Sequence, residues 1–206
     1  MFCGAAKTPG SSTRKKIMTT IAAIQGDGFV VVGSDSRITS DGGRIYLLPK
    51  EIGKIVRNEK YLLAASGDLR AINLLANVKL PSTGGVSGKK LDRFISTEVV
   101  PLIQEEFERA GYGKEGSHES EIMLCVEGVV YEIAQNYDLS RDSTGIYGIG
   151  SGSSYAVGAL HAMVAGEISI NEAKECVREA IKIAAKLDAG TGEPITIVVQ
   201  QPKQQP

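Results

Sequence analysis

The chain has 206 residues and a formal net charge of −1, enough for one domain at a soft prior of roughly 150 residues per domain. Near-neutral charge offers no basic surface for nucleic acid or an anionic membrane, and no apolar run approaches the roughly 20 residues that cross a bilayer. An odd set of cysteines without a CxxC pair (Cys3, Cys125, Cys176), together with only two histidines, His118 and His161, argues against a disulfide framework or a usual zinc site and makes a reducing cytoplasm the default compartment.

Residues 1–17 are rich in Ser, Gly and Lys/Arg and lack the apolar centre of a secretory signal. From Thr19 the pattern changes. TTIAAIQGDGFVVVGSDSRIT reads as two strands joined at Gly26–Asp27–Gly28, because Asp-Gly between apolar runs is a hairpin signal. Short strands are expected at 44–48, 54–56 and 60–66, the last ending at Gly67. Asp68 then caps a predicted helix running to Leu80, ahead of Pro81. A second helix is predicted over 88–110, with Leu91, Phe94, Ile95, Val99, Leu102, Ile103 and Phe107 as its apolar stripe and Pro101 as a kink point.

Three more strands follow at 121–126, 129–134 and 146–149, the first two joined by a turn at Glu127–Gly128. Helices are expected over 153–165 and over 170–187, the latter capped by Asn171, before a closing strand at 194–199 and a polar tail. Cys125 and Cys176 fall within apolar patterns and read as core. Strands in blocks and helices in blocks argue for an antiparallel α+β design. Two stacked sheets with a helix pair outside each, a four-layer αββα sandwich, would bury both faces of both sheets.

Five pieces of sequence carry a resemblance. They are TTIAAIQGDGFVVVGSDSR from Thr19, GKI at Gly53–Ile55, AASG at Ala64–Gly67, GIGSGSSYAVGAL at Gly148–Leu160 and LDAGTGEPITIVV at Leu187–Val199. In this order they resemble the proteasome β-subunit family, with its bacterial relative HslV, among the N-terminal-nucleophile hydrolases. The similarity spans nearly the whole chain except its two tails. It implies the αββα fold and a threonine-type endopeptidase that works through an acyl-enzyme on an N-terminal threonine.

The chemistry explains the spacing. A threonine hydroxyl is a poor nucleophile and needs a nearby base. As the first residue of a mature chain, Thr19 would carry an α-amine beside its own Oγ1, titrating at about 7.7–8.0 and able to take a proton near neutrality. An internal Thr19 has only an amide nitrogen, so Met18 and everything before it must be removed. Residues 1–18 are expected to be a propeptide, a disordered tail or a mis-called start. The resemblance implies Lys54 as a cation beside the amine, Asp35 as its partner, and the Gly67 N–H as oxyanion donor. It further implies Ser151 near the amine, supported by Asp188 and Thr191. Without the resemblance, Asp35 and Lys54 taken singly read rather as a solvent-exposed ion pair, Gly67 as a turn residue, and the GSGS stretch as a helix cap or a phosphate-cradling loop.

The resemblance also implies a first specificity pocket lined by Ile38, Thr39, Ile52, Val56, Ala65 and Leu69, whose apolar members point to cleavage after hydrophobic residues. The loop from Ser40 to Pro49 is a few residues longer than in the relatives, and Met18 stands where their propeptides end in glycine. The absence of a long N-terminal helix argues against an α-type ring subunit. The resemblance implies a cytoplasmic enzyme in homo-oligomeric stacked rings, with unfolded polypeptide as substrate and a ring ATPase or an α-type ring as partner. It implies no cofactor or metal, and no nucleic-acid or membrane partner. The alternatives are an amidohydrolase acting on a small amide, and an inactive structural ring subunit.

Overall fold

Both faces of the central strands are apolar, which is what a strand buried between two layers requires. The computed structural model describes residues 18–39, 44–49, 52–113 and 116–201. The expected tails at 1–17 and 202–206, and positions 40–43 of the extended loop, lie outside the described residues. Among the described residues no helix is long and apolar enough to cross a membrane.

The strands in chain order are β1 (Ile21–Gly26), β2 (Phe29–Asp35), β3 (Arg37–Thr39), β4 (Ile45–Leu47), β5 (Ile55–Asn58) and β6 (Tyr61–Ser66). Helices α1 (Leu69–Leu75), α2 (Lys89–Phe94) and α3 (Val100–Arg109) follow, with a π-helical turn over Ile95–Val99. Then come β7 (Glu121–Val126), β8 (Val129–Ile133), β9 (Leu139–Ser140), β10 (Ile146–Ile149), α4 (Ser153–Met163), α5 (Ile170–Leu187) and β11 (Ile195–Gln200). Strands β10-β1-β2-β11 form one sheet and β5-β6-β7-β8-β9 a second, while β3 and β4 pair as a separate ribbon. Every pairing is antiparallel.

Three apolar cores fix the layering. Alternation along each strand sends Ile21, Ala23, Val30 and Val32 inward to meet Leu62, Ala64, Met123 and Cys125 between the sheets. The intervening residues Ala22, Ile24, Phe29 and Val31 face α4 and α5. On the other side Leu63, Ala65, Ile122 and Leu124 pack under α1, α2 and α3. The order helix, sheet, sheet, helix is the expected αββα sandwich. Cys125 lies in the inter-sheet core and Cys176 packs against the α4–α5 core.

The turns follow from their residues. Glu127 and Gly128 both take positive φ, at 50° and 76°, as a type I′ hairpin requires. At Gly33 a Cβ would lie 2.4 Å from Val177, so only glycine lets α5 sit this close to β2.

Several elements depart from expectation. The first helix stops at Leu75 rather than Leu80, because the Asn58 side-chain amide donates to the Leu75 and Val78 carbonyls at 2.9 and 2.7 Å and holds the chain out of helix. The expected long helix at 88–110 is divided. Pro101 has no N–H for the regular ladder, and the backbone widens just before it, Val100 N–H donating to the Ile95 carbonyl. The last helix is capped by Ser169, two residues before the expected Asn171; Ser169 and Glu172 form a reciprocal capping box. Strands β3 and β9 were not expected, being two or three residues long.

Candidate active site

The two sheets converge at the start of β1. Thr19 and Thr20 are buried there, just before the strand. The Thr19 N–H donates to Ser151 Oγ at 3.3 Å. The Thr19 Oγ1 is buried and has no hydrogen-bond partner among the described residues. A buried hydroxyl without a partner is costly and calls for an explanation.

Asp35, at the end of β2, and Lys54, just before β5, form a sealed ion pair with Nζ 2.6 Å from Oδ1. Every lone-pair direction of the carboxylate is engaged. Oδ1 also accepts the Thr20 N–H at 3.0 Å, and Oδ2 accepts Arg37 and Gly192 N–H at 3.2 and 3.1 Å. The Lys54 ammonium donates a second bond to the Arg37 carbonyl at 2.7 Å. Burial pushes the Asp35 carboxyl up and the Lys54 amine down from their ordinary values, and the pairing opposes both shifts.

A second network lies beside the Thr19 nitrogen. Ser151 Oγ donates to Asp188 Oδ2 at 2.8 Å, and Thr191 Oγ1 donates to the same oxygen at 2.5 Å. Thr191 has then given up its only proton, so the 2.6 Å contact with Thr20 Oγ1 is donated by Thr20. Ser151 and Asp188 flank α4 and α5: Ser151 precedes the first, and Asp188 ends the second. Gly152 permits the approach, since a Cβ there would lie 2.0 Å from Thr20 Oγ1.

Gly67 follows β6 with φ +101°, and a Cβ would stand 2.5 Å from the Glu119 carbonyl. It opens onto a cleft of about 250 Å³, lined also by Met18, Ser66, Glu119, Glu121, Gln135, Gly150 and Ser151. This position, between a strand and α1, suits a backbone donor aimed at a developing oxyanion.

The structure therefore brings Thr19, Asp35, Lys54, Gly67, Ser151, Asp188 and Thr191 to one end of the sandwich. The six expected pocket residues are more dispersed. Ala65 lies in the core under α1, with Val56 and Leu69 packed against it. Ile38 is buried on β3, and the neighbouring Thr39 hydroxyl is buried without a partner among the described residues. Ile52 is exposed. None of the six lines the cleft at Gly67. The residues missed by sequence reasoning are Thr20, Gly192, Ser66 and Glu121. Thr20 was visible in the Thr-Thr doublet, but the other three are placed by strand register and chain closure.

Among the described residues no group of His, Cys, Asp and Glu could hold a metal ion.

The family described as Proteasome subunit matches residues 16–200. The chain is 24% identical over 194 residues to proteasome subunit beta 1 of Hyperthermus butylicus, covering 87% of each chain. Among solved structures it is similar to Thiobacillus denitrificans BPH, with a TM-score of 0.71 at 20% identity, covering 89% of this chain and 98% of that one. It is also similar to eukaryotic HslV from Trypanosoma brucei, with a TM-score of 0.63 at 19% identity, covering 89% and 99%.

Proposed function

We propose that this chain, which belongs to the proteasome subunit family, is a threonine peptidase whose nucleophile is Thr19 Oγ1 and whose base is the Thr19 amine once Met18 has been removed. The observation that carries this reading is the buried Thr19 hydroxyl, without a partner among the described residues, beside a nitrogen held 3.3 Å from Ser151 Oγ.

The steps follow from the groups present. Thr19 Oγ1 attacks the scissile carbonyl carbon and passes its proton to the Thr19 amine. The oxyanion is held by the Gly67 N–H, an interaction whose loss costs about 3–4 kcal/mol in comparable sites. The protonated amine gives its proton to the departing amino group, the C–N bond breaks, and an ester to Thr19 remains. Water then attacks the ester, losing its proton to the same amine; the ester C–O bond breaks, the amine returns that proton to Thr19 Oγ1, and the acid product leaves. Lys54 places a positive charge near the amine that favours its neutral, basic form. Asp35 keeps that charge in place. Ser151, supported by Asp188 and Thr191, orients the amine.

The proposed substrate is unfolded polypeptide admitted to a chamber of stacked rings. Exposed apolar residues on and near β4, including Ile45, Leu47 and Ile52, leave surface for a neighbouring copy. The processed enzyme should begin at Thr19, by self-cleavage of the Met18–Thr19 bond or by removal of an initiating Met18.

The test is hydrolysis of fluorogenic peptides by the processed chain and by Thr19→Ala. Activity present in the first and lost in the second is expected. Hydrolysis retained by Thr19→Ala would overturn the reading. Size-exclusion chromatography separates a ring assembly from an amidohydrolase working near the 21.8 kDa monomer mass.

A further inference from the structure

Glu121 takes no part in the network just described, yet one of its carboxylate oxygens joins the two halves of the site. It is the first residue of β7, exposed, and stands opposite Ser66 in the β6–β7 register. Its Oε2 accepts the Ser66 hydroxyl at 3.0 Å and the Gly150 N–H at 2.9 Å. Ser66 immediately precedes Gly67, and Gly150 immediately precedes Ser151. Ser66 belongs to the five-stranded sheet, while Gly150 extends β10 of the four-stranded sheet. One oxygen therefore ties the strand end that carries the oxyanion donor to the turn that carries the amine-orienting serine.

The fit at Gly150 is tight. Its φ is +94°, and a Cβ there would lie 2.2 Å from the Thr19 carbonyl and 3.3 Å from Ser66 Cβ. The turn is thus pressed between Thr19 and Ser66, and the Glu121 bond to its N–H holds it from the cleft side.

We propose that Glu121 is a positioning residue for the peptidase reaction, setting the separation between the Gly67 N–H and the Ser151 hydroxyl. The inference rests on the threonine-peptidase reading. Glu121 does not touch the reacting atoms. It acts through Ser66 and Gly150, and what it supplies is acceptor reach rather than charge. Displacing catalytic groups by about 1 Å can cost up to 100-fold in rate, and a part of that is the expected effect here.

Three variants separate reach from charge. Glu121→Gln keeps an oxygen at the same distance and loses the charge. Glu121→Asp keeps the charge and withdraws the oxygen by one methylene. Glu121→Ala removes both. In peptide hydrolysis by the processed enzyme, Glu121→Ala and Glu121→Asp should lower kcat about tenfold with KM nearly unchanged. Glu121→Gln should retain most of kcat, and thermal midpoints should stay close to that of the parent chain. The opposite ranking, with Asp active and Gln impaired, would overturn the inference in favour of an electrostatic effect. So would wild-type kcat in Glu121→Ala, or a loss of kcat that follows a loss of thermal stability. Thr19→Ala is run alongside: its inactivity with unaffected Glu121 variants ends this inference alone, whereas its activity ends the peptidase reading itself.

Discussion

Lys54 Nζ sits 2.6 Å from Asp35 Oδ1, with the two side chains 1% and 0% exposed. Neither charge reaches water, so each depends on the other and on backbone partners. The Asp35 carboxylate meets this with four donors: the Thr20, Arg37 and Gly192 N–H groups and the ammonium. Lys54→Met leaves the carboxylate buried without its cation. Breaking one half of such a pair costs about 3–5 kcal/mol, and at about 2–4 °C per kcal/mol for a domain of this size the thermal midpoint should fall by roughly 10 °C. Peptide hydrolysis should be lost as well. Asp35→Asn combined with Lys54→Met should recover part of the stability and none of the activity. Calorimetry and a fluorogenic assay on the same samples check both statements.

Gly67→Ala should damage stability and chemistry together. The backbone has φ +101° and the new methyl would meet the Glu119 carbonyl at 2.5 Å. Holding a non-glycine residue in such a conformation costs about 1–3 kcal/mol before any clash is counted. If the Gly67 N–H holds the oxyanion, its displacement should lower kcat by about 100- to 1000-fold. A folded Gly67→Ala enzyme with parental kcat would remove Gly67 from the mechanism.

Ser151→Ala separates the two roles cleanly. The side chain is exposed, so its loss should change stability by less than about 1 kcal/mol. Its Oγ bridges the Thr19 nitrogen and Asp188. Without that bridge the amine is less well oriented as a base, and kcat should fall by about 100-fold. Kinetics and thermal melts of Ser151→Ala, with Ser151→Thr as a variant that keeps the hydroxyl, provide the check.

His118 makes stability depend on pH. Burial among Phe107, Tyr112 and Tyr137 drives its imidazole down to about 4 from an ordinary 6.5. In the folded chain it stays neutral and accepts the Ser120 N–H at Nδ1. The unfolded chain takes up a proton below about 6.5, and the folded chain does so only near 4. The contribution to stability is therefore complete above pH 6.5 and is lost as pH falls through that window. It reaches up to about 3 kcal/mol, for a shift of this size. Denaturant titrations at pH 7 and pH 4.5 should show a smaller drop in His118→Phe than in the parent chain.

Periodicity and turn chemistry carry a great deal in this protein because they act locally. The Glu127–Gly128 hairpin, the apolar runs of β1, β2, β6 and β7, and the amphipathic α5 depend on side chains a few residues apart. They require cover on both faces of each sheet, but the direct stacking of the two sheets is fixed only by the core between them. Ser169 and Glu172 were equally legible as a capping box, and the cap was nonetheless expected at Asn171. The end of α1 was not legible, because it is set by Asn58 from another strand.

The motifs place Thr19, Asp35, Lys54 and Ser151 in the chain, but their separations run from 16 residues to 132. Nothing local holds such groups together. Only the β1–β10 register, with Ile21 opposite Ile149, brings Thr19 N within 3.3 Å of Ser151 Oγ, and only the β6–β7 register sets Glu121 opposite Ser66. Short-range patterns determine which surfaces must be buried. Long-range pairing decides which polar groups meet where those surfaces close, because a shift of one residue in a strand turns every side chain to its other face.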